Sequence, residues 1–256
     1  MSLEGRRIVV TGASSGLGAN TVRLLSRRGA HVVAAGRRFD RLELLAAELA
    51  DAPGRIVPVR ADVTREVDAV SLLEAAVSAI GGIDVLVNNA GSEVQGGLAE
   101  LALEDLEGML RSNVVSVFLV TRAALPELRR SGGMVVNLGS TVVARPPHGR
   151  FGYVASKAAV EAMTRALAAD LGRDGIRVNC IRPGIVPSEL RGSTEDEERA
   201  RFETGMHFGR QALSTVGQGS DIAEAVAWLA GDGGRWVTGA VIDVDGGLTL
   251  GLNDAL

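Results

Sequence analysis

Cysteine, lysine and tyrosine each occur once in the 256 residues, and aromatic side chains make up only 3%. One thiol, Cys180, excludes an internal disulfide, and a reducing, cytoplasmic setting is the expectation. No apolar run approaches the ~20 residues needed to cross a bilayer. The opening MSLEGRRIVV leads into strand-like sequence without the longer apolar stretch and cleavage site of a signal peptide. The 27 basic and 31 acidic residues are spread along the chain rather than gathered into stripes or tails, which argues against a nucleic-acid or membrane partner. His31, His148 and His207 are scattered and Cys180 lies in an apolar run, so no metal cluster is expected and the cysteine reads as core.

What is present is aliphatic and glycine-rich: 46% hydrophobic residues with 33 glycines suit a core of Val, Leu, Ile and Ala threaded by tight turns. Residues 1–256 read as a single domain. Short runs recur at RIVVTG, HVVAAG, RIVPVR, IDVLVNNAG, GMVVNLGS, IRVNCIRPG and AVIDVDGG. They are apolar on consecutive residues, as strands buried on both faces are. Between them TVRLLSRRG, RLELLAAELA, VDAVSLLEAAVSAIGG and YVASKAAVEAMTRALAADLG carry apolar residues at three and four spacing, mostly ending at Gly. The alternation predicts an α/β fold, a parallel sheet of about seven strands with helices on both faces. One charged segment, about 189–215, is too long for an ordinary connection before the next helix and reads as a substrate lid. Within it Thr194 and Glu197 have the spacing of a capping box.

The first strand runs into Thr11-Gly12-Ala13-Ser14-Ser15-Gly16-Leu17-Gly18, with a helix opening near Gly16. Backbone N–H groups at such a helix start attract phosphate, and glycine removes the side chains that would block its approach. Between a strand and a helix this turn predicts a dinucleotide site; a lone glycine trio would be only a tight turn. The second strand ends at Gly36, Arg37 and Arg38, where an NAD site places an acid for the ribose hydroxyls. An arginine there can instead bind the 2′-phosphate of NADP. NADP(H) is therefore the expected cofactor, with NAD(H) as the alternative if the two arginines are ordinary solvated residues.

Tyr153 and Lys157, the sole tyrosine and sole lysine, are four residues apart in a stretch of helical periodicity and so share one face. Chance would give that order and spacing about once in 250 chains, by counting positions on the helix-face criterion. The other 26 basic residues are all arginine, which suggests that a compact ammonium matters at position 157. A free tyrosine has a pKa of about 10, and a nearby ammonium stabilises its phenolate, making it a usable acid and base at neutral pH.

The chain resembles the short-chain dehydrogenase/reductase family over nearly its full length. The motifs that carry the resemblance are TGASSGLG at Thr11–Gly18, NNAG at Asn88–Gly91, Ser140, YVASK at Tyr153–Lys157, and Pro183-Gly184. The resemblance implies a Rossmann-type, doubly wound sheet and a catalytic tetrad of Asn113, Ser140, Tyr153 and Lys157, none substituted. Ser140 would hydrogen-bond the substrate oxygen, Tyr153 would exchange the proton, and Lys157 would also bind the nicotinamide ribose. Asn113 would hold a water linking the lysine to solvent. Asp62 and Val63 would border the adenine. Asn89 would lie near the adenosine ribose, with Ala90 and Gly91 also against the cofactor, and Pro183, Gly184 and Val186 would line the nicotinamide. Ser188 stands where the family often has Thr and retains the hydroxyl for the carboxamide. A homotetramer is also implied.

The implied reaction is hydride transfer between NADP(H) and a small-molecule carbonyl or secondary alcohol. The alternatives are a non-catalytic dinucleotide sensor or scaffold, and an epimerase or dehydratase of the same fold. The substrate pocket is expected from Glu93–Gly97, Thr141–Phe151 and the lid. His148 falls on a loop that should border it. Met206 and Phe208 could supply an apolar lid surface, and Arg145, Arg150 or Arg210 could meet an acidic substrate, but these loops hold no code for the molecule.

Overall fold

The structure, a computed structural model, describes residues 2–191, 196, 197, 200 and 211–251. The seven apolar runs are its seven strands: β1 (Arg7–Thr11), β2 (His31–Gly36), β3 (Ile56–Arg60), β4 (Val85–Asn88), β5 (Met134–Leu138), β6 (Arg177–Pro183) and β7 (Val241–Val244). They form one sheet in the order β3-β2-β1-β4-β5-β6-β7, every neighbouring pair parallel. The described helices are α1 (Gly16–Arg27), α2 (Phe39–Glu48), α3 (Glu66–Ile80), α4 (Leu103–Leu110), α5 (Ser116–Ser131), α6 (Phe151–Leu171) and α7 (Gly219–Ala230). Among the described residues no helix is long and apolar enough to cross a membrane.

Alternate residues of each strand serve two separate cores, which is why the runs are apolar throughout. On one face Ile8, Val10, Val32, Ala34, Val85 and Val87 meet Val22 and Leu25 of α1, Leu42 and Leu45 of α2, and Ile222 and Val226 of α7. On the other, Val9, Val33, Leu86, Val135 and Val178 meet Leu72 of α3, Val120 and Leu128 of α5, and Leu171 of α6. Each fully buried Val, Leu or Ile among them contributes about 1.5–3 kcal/mol. The two edge strands depart from this pattern: β3 and β7 have no fully buried residue, because each lacks a neighbour on one side.

Four of these helices, α1, α2, α3 and α6, stand where the spacing predicts them, and α7 is the helix expected after the charged segment. Helices α4 and α5 were not anticipated, and α5 runs against its local sequence. Its entry NVVSVFLV is β-branched and apolar, like a strand, and Pro126 lies in its interior, yet Val117, Leu119, Val120, Ala124 and Leu128 bury a continuous face. Tertiary packing overrides the local preference there. Most of the expected lid, including Thr194, Met206, Phe208 and Arg210, lies outside the described residues. A reciprocal cap does occur nearby, at Gln218 and Asp221 on the start of α7.

The chain runs from β1 outward to β3 and then returns to β4 on the opposite side of β1, so the crevice at the carboxyl ends of β1 and β4 is the topological switch point, where such sheets bind ligands. Two polar devices hold the elements around it. Asn88 Nδ2 donates to Thr121 Oγ1 of α5 at 3.1 Å and to Asn137 Oδ1 of β5 at 2.9 Å, and Asn137 Nδ2 donates to Thr164 Oγ1 of α6 at 2.9 Å. These four side chains are buried and satisfy one another across the sheet. Farther along, Arg182 of β6 donates to both carboxylate oxygens of Glu161 on α6 at 2.7 and 2.6 Å and to Asp243 of β7 at 3.3 Å. The Glu161 side chain is 5% exposed. Removing its cation alone strands a buried charge. Arg182→Met is accordingly expected to lower the unfolding free energy by about 3 kcal/mol in urea titrations, and Arg182→Met combined with Glu161→Gln by clearly less; equal losses would show that the carboxylate does not depend on the bridge.

Candidate active site

The glycine turn is built against the end of β4. Thr11 Oγ1 accepts from the backbone N–H groups of Asn89 at 3.0 Å and Ala90 at 3.1 Å, while Asn89 Nδ2 donates to the carbonyls of Thr11 at 2.8 Å and Gly12 at 3.1 Å. Close approach explains the third glycine of the motif: a Cβ on Gly18 would lie 2.3 Å from the Gly12 carbonyl oxygen. Ser15 is the N-cap of α1, but its hydroxyl makes no capping bond; it accepts from Arg38 Nη2 at 2.5 Å, and Ser14 Oγ accepts from Arg38 Nε at 3.1 Å. With no capping side chain over them, the first-turn N–H groups of α1 are left for an anion, and the turn fits a dinucleotide pyrophosphate.

From this turn a cavity of about 760 Å³ extends to the carboxyl end of β5 and the start of α6, within the usual range of ligand sites. Gly12, Ser14–Leu17, Arg37, Arg38, Asp62, Val63, Asn89–Gly91, Ser140, Tyr153, Lys157, Pro183–Val186 and Ser188 all line it, and Ser188 comes back against the glycine turn, where a Cβ on Gly16 would lie 3.4 Å from its own. Of the tetrad and cofactor residues expected from the sequence only Gly18 and Asn113 do not reach its wall, and parts of the expected substrate loops, among them Gln95–Gly97, Pro146, His148, Gly149 and Phe151, do not reach it either. Burial pushes the Asp62 carboxyl up, but hydrogen bonds from Thr64 and the guanidiniums of Arg37 and Arg65 outweigh it and hold the group below the usual carboxylate range.

Tyr153 and Lys157 lie on one face of α6, each 5% exposed. The ammonium is 5.7 Å from the centre of the phenol ring and donates to the Leu138 carbonyl at the end of β5 at 2.8 Å. Burial pushes its pKa down to about 8, against the opposing pull of the Glu93 carboxylate. Ser140 follows β5 after Gly139; its Oγ accepts from Val142 N–H at 3.4 Å, and the adjoining Thr141 Oγ1 donates to the Pro183 carbonyl at 3.1 Å, tying this wall to the end of β6.

Asn113 is 1% exposed and sits in a π-helical turn, Arg111–Val115, that joins α4 to α5. Its amide accepts from Ser92 N–H at 2.8 Å and donates to the Ser92 carbonyl and to Ser156 Oγ, both at 2.9 Å. Ser156 Oγ in turn donates to the Tyr153 carbonyl at 2.8 Å. Gly91 separates Asn113 from the lysine: a Cβ there would lie 2.8 Å from Asn113 Oδ1 and 3.7 Å from Lys157 Nζ. The asparagine is thus beneath the cavity floor, bound to the loop after β4 and to α6 at once.

Three relationships could not be read from the sequence, because each joins residues remote along the chain. Glu93 and Arg150 form an ion pair at 2.9 Å with side chains 4% and 10% exposed. Arg145 Nη1 donates to the Leu248 carbonyl at 3.0 Å. Arg38 and Arg41 both bind Glu189, which the sequence places in the lid. His148 lines not this cavity but a shallow groove of about 460 Å³ with Leu98 and Phe151. Cys180 is fully buried, as expected of a core residue, and burial pushes its thiol up to about 11.

The family model described as enoyl-(acyl carrier protein) reductase matches residues 12–249. The chain is 34% identical to 3-oxoacyl-(acyl-carrier-protein) reductase FabG of Thermotoga maritima, over 98% of this chain and 100% of that protein. Among solved structures it is similar to a short chain dehydrogenase from Burkholderia cenocepacia in complex with NADP, with a TM-score of 0.86 and 33% identity over 97% of this chain and 99% of that one. It is similar also to a 7α-hydroxysteroid dehydrogenase complexed with NADH and 7-oxo glycochenodeoxycholic acid, with a TM-score of 0.87 and 29% identity over 96% and 95% of the two chains.

The depressed Lys157 value has a measurable consequence for stability. With a folded pKa of about 8 and an ordinary value of 10.5, the unfolded chain binds more protons at this group between those limits, so its contribution to stability rises with pH across that window and is flat below it. The unfolding free energy of the wild type relative to Lys157→Met should therefore climb between pH 8 and 10.5 with a slope approaching about 1.4 kcal/mol per pH unit. Parallel stability curves for the two proteins would contradict a charge buried at this position.

Proposed function

The chain belongs to the short-chain dehydrogenase/reductase family and is an NAD(P)-dependent oxidoreductase of carbonyl and alcohol groups; from that premise we propose that Tyr153 is its general acid in reduction and general base in oxidation, with NADP(H) as the preferred cofactor. The observation that carries this reading is the buried Tyr153 and Lys157 pair on the wall of the same cavity that the glycine turn lines. Its relatives' names as reductase and dehydrogenase set aside the alternative of a non-catalytic sensor.

When bound, the nicotinamide supplies or accepts the hydride. The protein's part is to bind, orient and handle the proton. Ser14–Leu17 and the open end of α1 hold the pyrophosphate, and Arg37 and Arg38 at the end of β2 provide cations for a 2′-phosphate with no carboxylate beside them on that strand. Asp62 and Val63 border the adenine, Asn89–Gly91 the adenosine ribose, and Pro183, Gly184, Val186 and Ser188 the nicotinamide. Ser140 donates to the substrate oxygen, and the Tyr153 hydroxyl delivers or removes its proton. The Lys157 ammonium, held by the Leu138 carbonyl, stabilises the phenolate side of that exchange and is charged at neutral pH. Asn113 keeps the loop after β4 and α6 in register and supports the water path to the lysine.

Residues 1–256 act as one unit on this reading, with cofactor and substrate ends on one sheet and a lid over about 189–215. The substrate is a small carbonyl or alcohol, and two arginines that the sequence offers to an acidic group are committed elsewhere: Arg150 to Glu93 and Arg145 to the Leu248 carbonyl. A homotetramer in the cytoplasm completes the proposal. It is supported by Leu103, Phe118 and Phe151, on α4, α5 and α6, which are 63%, 47% and 48% exposed.

Tyr153→Phe removes only the hydroxyl. It is expected to lower kcat by about 10²- to 10⁴-fold while cofactor binding, followed by nicotinamide fluorescence, stays within about twofold; ketone reduction at the wild-type rate would refute the proton-transfer role. Light scattering on the purified protein should give a mass four times the 26.6 kDa of one chain, and a monomeric mass would overturn the assembly.

A further inference from the structure

Glu189 opens the short turn Glu189–Arg191 directly after Ser188, which lies against Gly16 of the glycine turn, and from there its carboxylate meets two arginines at the start of α2. Arg38 Nη1 donates to its Oε2 at 2.7 Å, and Arg41 Nη1 donates to its Oε1 at 2.6 Å. Each carboxylate oxygen therefore has a guanidinium of its own. The same Arg38 also donates to the Ser14 and Ser15 hydroxyls of the glycine turn. Two cations and two hydroxyls converge at the end of β2, where that strand offers no acid, and the anion that meets them comes from beyond β6.

We propose that Glu189 is an internal anion that occupies the 2′-phosphate subsite and is displaced by that phosphate, so that it limits how strongly the protein separates NADP(H) from NAD(H). This rests on the reading of Arg38 as the phosphate-binding residue. A carboxylate and a phosphate present similar acceptor oxygens to a guanidinium, so one can stand in for the other. They cannot share the site: a 2′-phosphate on Arg38 faces the Glu189 charge across one side chain, and like charges at that range repel. Hydrogen bonds from Arg38 and Arg41 hold the Glu189 carboxyl below the usual range, so it is ionised throughout the neutral region.

Exposure decides whether the contact blocks the site or yields. The side chains of Glu189, Arg38 and Arg41 are 52%, 43% and 42% exposed. Pairs this wet are weak, so a phosphate can displace the glutamate at a modest cost in affinity. A dinucleotide without the phosphate has no reason to disturb the contact and leaves β2 and the turn after β6 tied together. Glu189 therefore handicaps one cofactor and spares the other, narrowing a preference that the arginines create.

The test is calorimetric titration of the full-length wild type, Glu189→Gln and Arg38→Met with NADP+, NAD+ and 2′,5′-ADP as the isolated phosphate probe. Glu189→Gln should lower Kd for NADP+ and 2′,5′-ADP by about three- to tenfold and change Kd for NAD+ by less than about twofold. The proposal is overturned if the wild type prefers NADP+ but Glu189→Gln binds it no more tightly, or if both dinucleotides tighten equally, which would mark the glutamate as a general obstruction. Failure of the underlying reading has a separate signature: a wild type that does not prefer NADP+ together with an Arg38→Met variant that binds NADP+ and 2′,5′-ADP unchanged.

Discussion

An ammonium that must stay charged where charge is disfavoured is the constraint around which this fold is arranged. Lys157 is buried on α6, its pKa is driven down to about 8, and it donates a hydrogen bond to a main-chain carbonyl, that of Leu138 at the end of β5. A cation in such a place survives only if its surroundings cannot relax away from it. Helix α6 is accordingly held on several sides: Thr164 by Asn137, Ser156 by Asn113, and Glu161 by Arg182. Each contact joins the helix to a different element, and together they set where Tyr153 stands relative to the cavity.

The parallel sheet makes that convergence available. Parallel strands deliver their carboxyl ends to one edge, and the reversal of strand order between β1 and β4 leaves a crevice there without an insertion to carve it. The glycine turn, the Asn88–Gly91 segment, Ser140 and Pro183 all follow strand ends on that edge. The residues proposed to hold the cofactor and to exchange the proton therefore share one rigid support, which favours the near-fixed geometry that hydride and proton exchange require.

Much of this was legible along the chain. Strands buried on two faces leave consecutive aliphatic residues, and helices leave three and four spacing, so seven strands and most helices could be placed from local pattern. Helix α5 could not, because NVVSVFLV and Pro126 point locally to strand or break, and only burial of its face against β4 and β5 makes it helical. The Asn88, Asn137, Thr121 and Thr164 chain was hidden for a related reason: an amide inside an apolar run says nothing about its partner until the register pairs Asn88 with Asn137. The same holds for Glu93 with Arg150, two ordinary charges in loops until folding buries them together.

By itself the sequence determined the chemistry. A sole tyrosine and a sole lysine one helical turn apart, a glycine turn between strand and helix, and arginines instead of an acid after the second strand are local facts, and local backbone geometry carries them into the folded state unchanged. Tertiary structure decided what those groups feel. Burial sets the charge balance of Lys157, Asn113 is bonded to Ser92 and Ser156 rather than lining the cavity wall, and Glu189 reaches Arg38 and Arg41 at the start of α2 from a turn beyond β6. Spacing within a helix or turn is fixed by covalent geometry, whereas desolvation and long-range ion pairs exist only once distant segments have excluded water between them.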